Sequence, residues 1–243
     1  MNGKMQSMEI YNSSFVKHLF NEMSETYGYT NLISSFGFCK LWRRKCVNQI
    51  TIKNGTTICD LMTGMGECWE PIDKKLNAET RLMALDFSDE MCRQAKKNAK
   101  HLKHGKVEIF EEDVLANSIP SGSADYVISA FGLKTFSDQQ KQKLAFEIKR
   151  ILKPNGVFSL LEISVPPNKL LRLPYMFYLK RVIPIIGKLL MGNAENYRML
   201  GMYTEQFENC QAMGEFLQDA GLKVEYKSFF FGCASGLRGK NQI

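Results

Sequence analysis

Thr56-Thr57-Ile58-Cys59-Asp60-Leu61-Met62-Thr63-Gly64-Met65-Gly66-Glu67 decides how this chain is read. Asn54-Gly55 marks a turn just before it. Thr56–Asp60 is β-branched and apolar and reads as a short buried strand. That strand ends on an acid and passes into a turn with two glycines. Small residues there let the backbone run close to a bound ligand. The dinucleotide fingerprint G-x-G-x-x-G needs a third glycine at position 69, where this chain has Trp69. A pyrophosphate on a helix N-terminus prefers neutral or positive neighbours, and Glu67 stands at that place. The turn therefore suits a ligand without phosphates.

Outward from this turn the pattern repeats. Leu82–Asp86, Lys106–Phe110, Tyr126–Phe131 and Val157–Glu162 read as further strands. Pro71–Ala78, Asp89–His101 and Gln139–Leu152 read as the helices between them. Strands alternating with helices of this length imply βαβ units, a parallel sheet and right-handed crossovers. Ligands of such sheets bind at the carboxyl ends of the strands. The second strand ends on Asp86, which can accept both ribose hydroxyl protons, and Glu111-Glu112-Asp113-Val114 follows the third. An acid there can accept a hydrogen bond from an exocyclic amine such as adenine N6. Any one of these acids also suits a helix cap or a solvated turn. Their recurrence at three successive strand ends favours a ligand.

The motifs resemble a family. Asp60-x-x-x-Gly64-x-Gly66, Asp86 and Asp113 look like the S-adenosylmethionine site of class I methyltransferases. Phe36-Gly37, Leu41-Trp42-Arg43-Arg44, Ser129-Ala-Phe-Gly132-Leu133 and Arg150-Ile-Leu-Lys-Pro154-Asn-Gly156 are similar to the ubiquinone/menaquinone biosynthesis C-methyltransferases. So are Leu161-Glu162-Ile-Ser164, Ile183-Pro-Ile-Ile-Gly187, Asn193-Ala-Glu-Asn-Tyr197-Arg198-Met-Leu200 and the end Gly232–Lys240. The resemblance spans roughly residues 15 to 240. It implies an α/β, Rossmann-like sandwich with a seven-stranded, mostly parallel sheet. It implies S-adenosylmethionine as cofactor, S-adenosylhomocysteine as product and no metal. Asp60 and the Gly64/Gly66 turn would approach the methionine part, Asp86 the ribose, and Asp113 with Val114 the adenine; Thr63, Phe87 and Ala130 would also bind the cofactor. Tyr27 and Asn31 would close over the site from the N-terminal helices.

One departure stands out. Family members acting on quinol rings carry Gly-Leu-Arg-Asn after the fourth strand, and this chain has Gly132-Leu133-Lys134-Thr135. Arg offers a planar fork and Lys a compact ammonium. A ring carbon becomes a nucleophile when a neighbouring hydroxyl loses its proton, so the reaction needs a base or a cation near that oxygen. Lys134 is a candidate for either role, and Glu162 is a second candidate base. Thr135, Tyr178, Tyr197 and Arg198 are candidates for holding the acceptor. For the two tyrosines ordinary lid packing is an equal reading.

Composition sets the outer limits. Of 243 residues 44% are hydrophobic and 23% charged, which fits a folded globular chain and excludes collagen-like and disordered classes. The net charge is +7, with cations dispersed in small clusters at Arg43–Lys45, Lys96–Lys103 and Lys180–Arg181. Each cluster reads as a solvated helical face. A nucleic-acid binder would concentrate its cations on one stripe, so no nucleic acid is expected. The seven cysteines form no Cys-x-x-Cys pair, which argues against zinc and disulfides. Free thiols and a polar Met1–Ser13 suit a cytoplasmic protein.

Leu170–Met191 is apolar but interrupted by Arg172, Pro174, Lys180, Arg181, Pro184 and Lys188, so it reads as a surface-lying or pocket-covering segment. The expected units are a helical cap over 1–50, a cofactor-binding core over 51–165, an apolar lid over 166–205 and a closing helix with the last strands over 206–243. The expected acceptor is a small, hydrophobic aromatic or quinol-like molecule, methylated at carbon. A peripheral membrane contact and a second copy of the chain are carried as further partners. N- or O-methylation of a secondary metabolite or lipid amine remains an alternative. So does a cofactor-binding protein that transfers no methyl group.

Overall fold

The computed structural model describes residues 10–24, 27–75, 79–103, 106–191 and 194–242, with the side chains of Tyr27, Tyr29, Leu190 and Met191 left out. Seven strands form one sheet. They are β1 (Thr57–Leu61), β2 (Arg81–Asp86), β3 (Lys106–Glu111), β4 (Ala124–Ala130), β5 (Leu152–Ile163), β6 (Leu222–Phe229) and β7 (Ala234–Asn241). Their order is β3-β2-β1-β4-β5-β7-β6. The first five strands are parallel, and β7 runs antiparallel between β5 and β6. This is the expected seven-stranded, mostly parallel sheet. The fifth strand begins five residues earlier than its apolar run, at Leu152. It reaches that run through Asn155 at φ 61° and a register shift opposite Ala124 and Tyr126.

Helices cover both faces of the sheet. Before β1 come α1 (Ser13–Met23), α2 (Tyr27–Ser34) and α3 (Phe38–Asn48). Within the parallel half lie α4 (Trp69–Asp73), α5 (Asp89–Ala99) and α6 (Asp138–Ile151). Then follow α7 (Lys169–Phe177), α8 (Ile183–Met191), α9 (Ala194–Phe207) and α10 (Gln211–Asp219). The two-residue period of a strand splits its side chains between two cores. Cys59, Leu61, Met83 and Leu85 join Leu144, Ile148, Met213 and Leu217 from α6 and α10. Ile58, Leu82 and Ala84 join Trp42, Cys46, Val47 and Ala95 from α3 and α5. Strands buried on both faces read as nearly continuous apolar runs, and β1 and β2 do so apart from Thr57, Asp60, Asp86 and the exposed Arg81.

Capping fixes where the helices leave the sheet. Ser88 Oγ accepts the Met91 N–H at the start of α5. Ser137 and Gln140 form a reciprocal capping box at the start of α6. The helix expected over Pro71–Ala78 is the shorter α4, with Pro71 in its first turn, where the missing N–H costs nothing. Residues 76–78 of that expectation lie outside the described residues. A π-helical turn over Tyr178–Val182 joins α7 to α8. A third core ties Val16, Leu19 and Met23 of α1 to Tyr197, Met199 and Tyr203 of α9. Among the described residues no helix is long and apolar enough to cross a membrane.

Candidate active site

The glycine turn is held from below. Met62, Gly64 and Gly66 all take positive φ, at 54°, 58° and 83°. Asp60 is 1% exposed, and its Oδ2 accepts Thr63 Oγ1 at 2.6 Å and Trp69 Nε1 at 3.0 Å. A Cβ on Gly66 would sit 2.4 Å from the Trp69 ring. Trp69 therefore fills the place of the missing third glycine with a ring that packs on Gly66 and an indole that anchors Asp60. Burial raises the Asp60 carboxyl to about 7, against the two hydrogen bonds, which lower it.

A cleft of about 750 Å³ opens above this turn. Gly64, Asp86, Phe87, Asp113, Val114 and Ala130 line it, as do Arg43, Glu67, Leu85, Phe131 and Phe136. Asp86 Oδ2 accepts the Gly64 N–H at 2.8 Å, and its Oδ1 accepts the Ser88 N–H at 3.0 Å. Burial raises its carboxyl to about 6; the Ser88 and Gly64 N–H groups pull it down and Glu67 pushes it up. Asp113 Oδ1 accepts the Leu115 N–H at 2.9 Å, which is the turn role open from sequence. Its Oδ2 also takes Ser13 Oγ of α1 at 3.3 Å, so the N-terminal helix is tied to the cleft.

Arg43 corrects the reading of Arg43–Lys45 as a solvated face. It is 8% exposed, and its guanidinium donates to Glu67 Oε1 at 2.7 Å and lies 5.0 Å from the Phe131 ring centre. Phe131 itself sits at φ 73°, a costly conformation for an aromatic residue.

Phe131 also lines a second, apolar cavity of about 1160 Å³. Phe38, Trp42, Tyr175, Tyr178, Leu179 and Tyr197 belong to its wall, and Lys134 brings a charge to it. Lys134 is 3% exposed. Its Nζ donates to Glu162 Oε1 at 2.9 Å and to the Phe131 carbonyl at 2.8 Å. Glu162 is fully buried and takes the Ile163 N–H on Oε1 and the Lys134 N–H on Oε2. Among the described residues Tyr197 OH is buried with no hydrogen-bond partner. Tyr178 OH donates to the Ser34 carbonyl at 2.8 Å.

The sequence-named residues thus divide into groups. Six cofactor candidates line the cleft, while Asp60 and Thr63 stand behind the turn. Gly66 opens on the outer side, in a groove with Glu67 and Trp69. The Tyr27 side chain lies outside the described residues. Lys134, Tyr178 and Tyr197 line the apolar cavity with Asn31. Thr135 lines the first cleft instead, and its Oγ1 donates to the Gly132 carbonyl at 2.8 Å. Glu162 is closed off behind Lys134 and borders neither space, which corrects its reading as a base facing an acceptor. Arg198 also borders neither; its side chain is 59% exposed and pairs with Glu195. The sequence did not single out Glu67 with Arg43, or Phe131 as the wall between the two spaces. Position 43 sits within a basic run, and only the packing of α3 on the turn turns it inward.

A sequence profile described as the ubiE/COQ5 methyltransferase family matches residues 6–240. The chain belongs to this family. The methyltransferase is 32% identical to the demethylmenaquinone methyltransferase of Thermus thermophilus, over 89% of this chain and 97% of that protein. It is 28% identical to the ubiquinone/menaquinone biosynthesis C-methyltransferase UbiE of an Enterobacter species, over 93% and 90%. In fold it is similar to a SAM-dependent methyltransferase from Aquifex aeolicus, with TM-score 0.57, 19% identity and coverage of 82% and 89%. The methyltransferase uses S-adenosylmethionine, and the cleft fits that group on its own chemistry. Asp86 has acceptor capacity left for ribose hydroxyls. Glu67 and Asp113 suit a ligand bearing an ammonium, a sulfonium and an exocyclic amine.

Proposed function

We propose that the protein transfers the methyl group of S-adenosylmethionine to a ring carbon of a quinol bearing an apolar tail. The observation that carries this is one shared wall. Phe131 borders both the cofactor cleft and the apolar cavity, and Lys134 places a buried ammonium at that junction. The relatives named for demethylmenaquinone and ubiquinone/menaquinone chemistry support the same substrate class.

When bound, the cofactor supplies an electrophilic methyl group. The chain supplies the geometry. Asp86 would take the ribose hydroxyls, and Glu67, held by Arg43, would face the amino-acid end. Lys134 has three N–H donors. Two are used on Glu162 and the Phe131 carbonyl; the third meets a ring oxygen of the acceptor. As the acceptor enters, its hydroxyl proton leaves to solvent; the ammonium stabilises the resulting phenolate, and the negative charge delocalised from that oxygen makes the neighbouring ring carbon nucleophilic. The new carbon–carbon bond would form as the methyl–sulfur bond breaks, leaving S-adenosylhomocysteine, and loss of the ring-carbon proton to solvent would restore the aromatic ring. Glu162 is a positioning residue that keeps the ammonium aimed. Tyr197 OH meets the second ring oxygen. Phe131, Trp42 and Tyr175 exclude water, and transfer would require the acceptor carbon to lie within about 3–3.5 Å of the methyl group. With Thr135 turned to Gly132, the acceptor oxygen meets a single ammonium in place of the family's Arg-Asn pair.

Formation of S-adenosylhomocysteine with short-tailed naphthoquinols and benzoquinols, phenols and amines tests the proposal. C-methylation of a quinol is the expected outcome. Turnover confined to amines, or to phenol oxygens, would overturn it.

A further inference from the structure

The segment between Glu162 and Glu195 contains no acidic residue, and it holds Lys169, Arg172, Lys180, Arg181 and Lys188. Lys180 pairs with Glu205. Lys169, Arg172, Arg181 and Lys188 are exposed. Large apolar side chains are exposed among them. Leu170, Leu173 and Phe177 of α7 are 86%, 74% and 63% exposed. Their i, i+3, i+7 spacing puts them on one stripe. Leu171 and Tyr175 of the same helix line the apolar cavity from within. An ordinary covering helix has a polar outer face. Here α7 lines the cavity on one side and on the other exposes an apolar stripe beside Lys169 and Arg172, as a helix lying at an apolar–polar boundary does. Ile185 and Leu189 of α8 are 60% and 80% exposed, at i, i+4. Phe36 and Phe230 are 79% and 52% exposed and also line the cavity. Phe36 stacks on Tyr178, so the exposed apolar rim continues from the lid to the cavity mouth.

We infer that this face docks on an anionic lipid surface, with α7 and α8 lying in the interface and the cavity mouth facing the bilayer. Apolar side chains enter the acyl boundary and the ring of cations meets lipid phosphates, the usual chemistry of a surface-lying amphipathic segment. An apolar-tailed acceptor then passes from the bilayer into the cavity without crossing water. The purpose of this docking rests on the quinol reading above; the docking itself does not.

The test uses the full chain and vesicles of equal parts phosphatidylglycerol and phosphatidylcholine, with pure phosphatidylcholine as control. The wild type should co-float with the anionic vesicles and remain largely free of the neutral ones. The triple variant Leu170→Ser, Leu173→Ser, Phe177→Ser should bind at least about tenfold more weakly. So should Lys169→Glu, Arg172→Glu, Arg181→Glu, Lys188→Glu. Both should keep wild-type affinity for S-adenosylmethionine and wild-type turnover of a short-tailed, water-soluble quinol. Three outcomes would overturn docking: a wild type that stays in solution, variants that float unchanged, or a dimer closed through this face that the triple variant dissolves. Failure of the wild type to methylate any soluble quinol would instead count against the quinol reading, whatever the vesicles show.

Discussion

Asp86 and Lys134 bring opposite charges into the two halves of the site, and each has a distinct test. Asp86 is buried, and among the described residues its carboxylate takes the Gly64 and Ser88 N–H groups, so ribose hydroxyls would be further donors. Asp86→Ala should weaken S-adenosylmethionine binding by about 2–3 kcal/mol, since buried hydroxyls lose a charged partner. Calorimetry showing unchanged affinity would remove Asp86 from the ribose site. Because its carboxyl is raised to about 6, affinity should fall below that pH by up to about tenfold per unit and level off above it. Lys134 needs a paired change. Removing the ammonium alone strands the Glu162 carboxylate in the core, a cost of about 3–5 kcal/mol. Lys134→Met with Glu162→Gln should keep cofactor affinity and lower kcat by about a hundredfold or more. A normal kcat would end its catalytic role. Asp86 and Lys134 could be found from sequence because a strand end is a local signal. The Arg43–Glu67 pair could not, because it joins α3 to a turn 24 positions away.

At the scale of elements, the strand–turn–helix unit around β1 depends on contacts made within about ten residues, which is why it could be read directly. Thr63 and Trp69 reach back to Asp60, and Gly66 yields its Cβ volume to the Trp69 ring. Gly66→Ala should cost roughly 2–4 kcal/mol in a urea melt, from overpacking and a left-handed backbone. A loss under about 1 kcal/mol would mean the ring moves freely. Element edges were harder to read. The apolar run of β5 starts at Val157, but the sheet recruits Leu152 by pairing it with Ala124. The two faces of α7 were also hidden, since an apolar segment does not say which side covers a cavity and which meets its surroundings.

For the whole molecule, burial of two carboxyls against one crevice sets a pH dependence. Asp60 is raised to about 7 and Asp86 to about 6. Such a carboxyl binds its proton more tightly in the folded chain than in the unfolded one. The stability it contributes is full below the ordinary carboxylate range and is lost as pH rises through about 6 to 7. Carboxyls held low, such as Glu70 at about 2 beside Lys74, Lys40 and Arg44, act at lower pH. The Tm of the ligand-free protein should therefore fall between about pH 5 and 7.5, and saturating S-adenosylmethionine should restore it. A flat or rising profile would contradict it. The central claim is carbon methylation across the Phe131 wall. Its most direct test supplies S-adenosylmethionine carrying a carbon-13 methyl group, with a short-tailed naphthoquinol, and locates the label by NMR. The label should appear on a ring carbon next to an oxygenated one. A label on oxygen, or cofactor that binds tightly and is never consumed, would contradict the account.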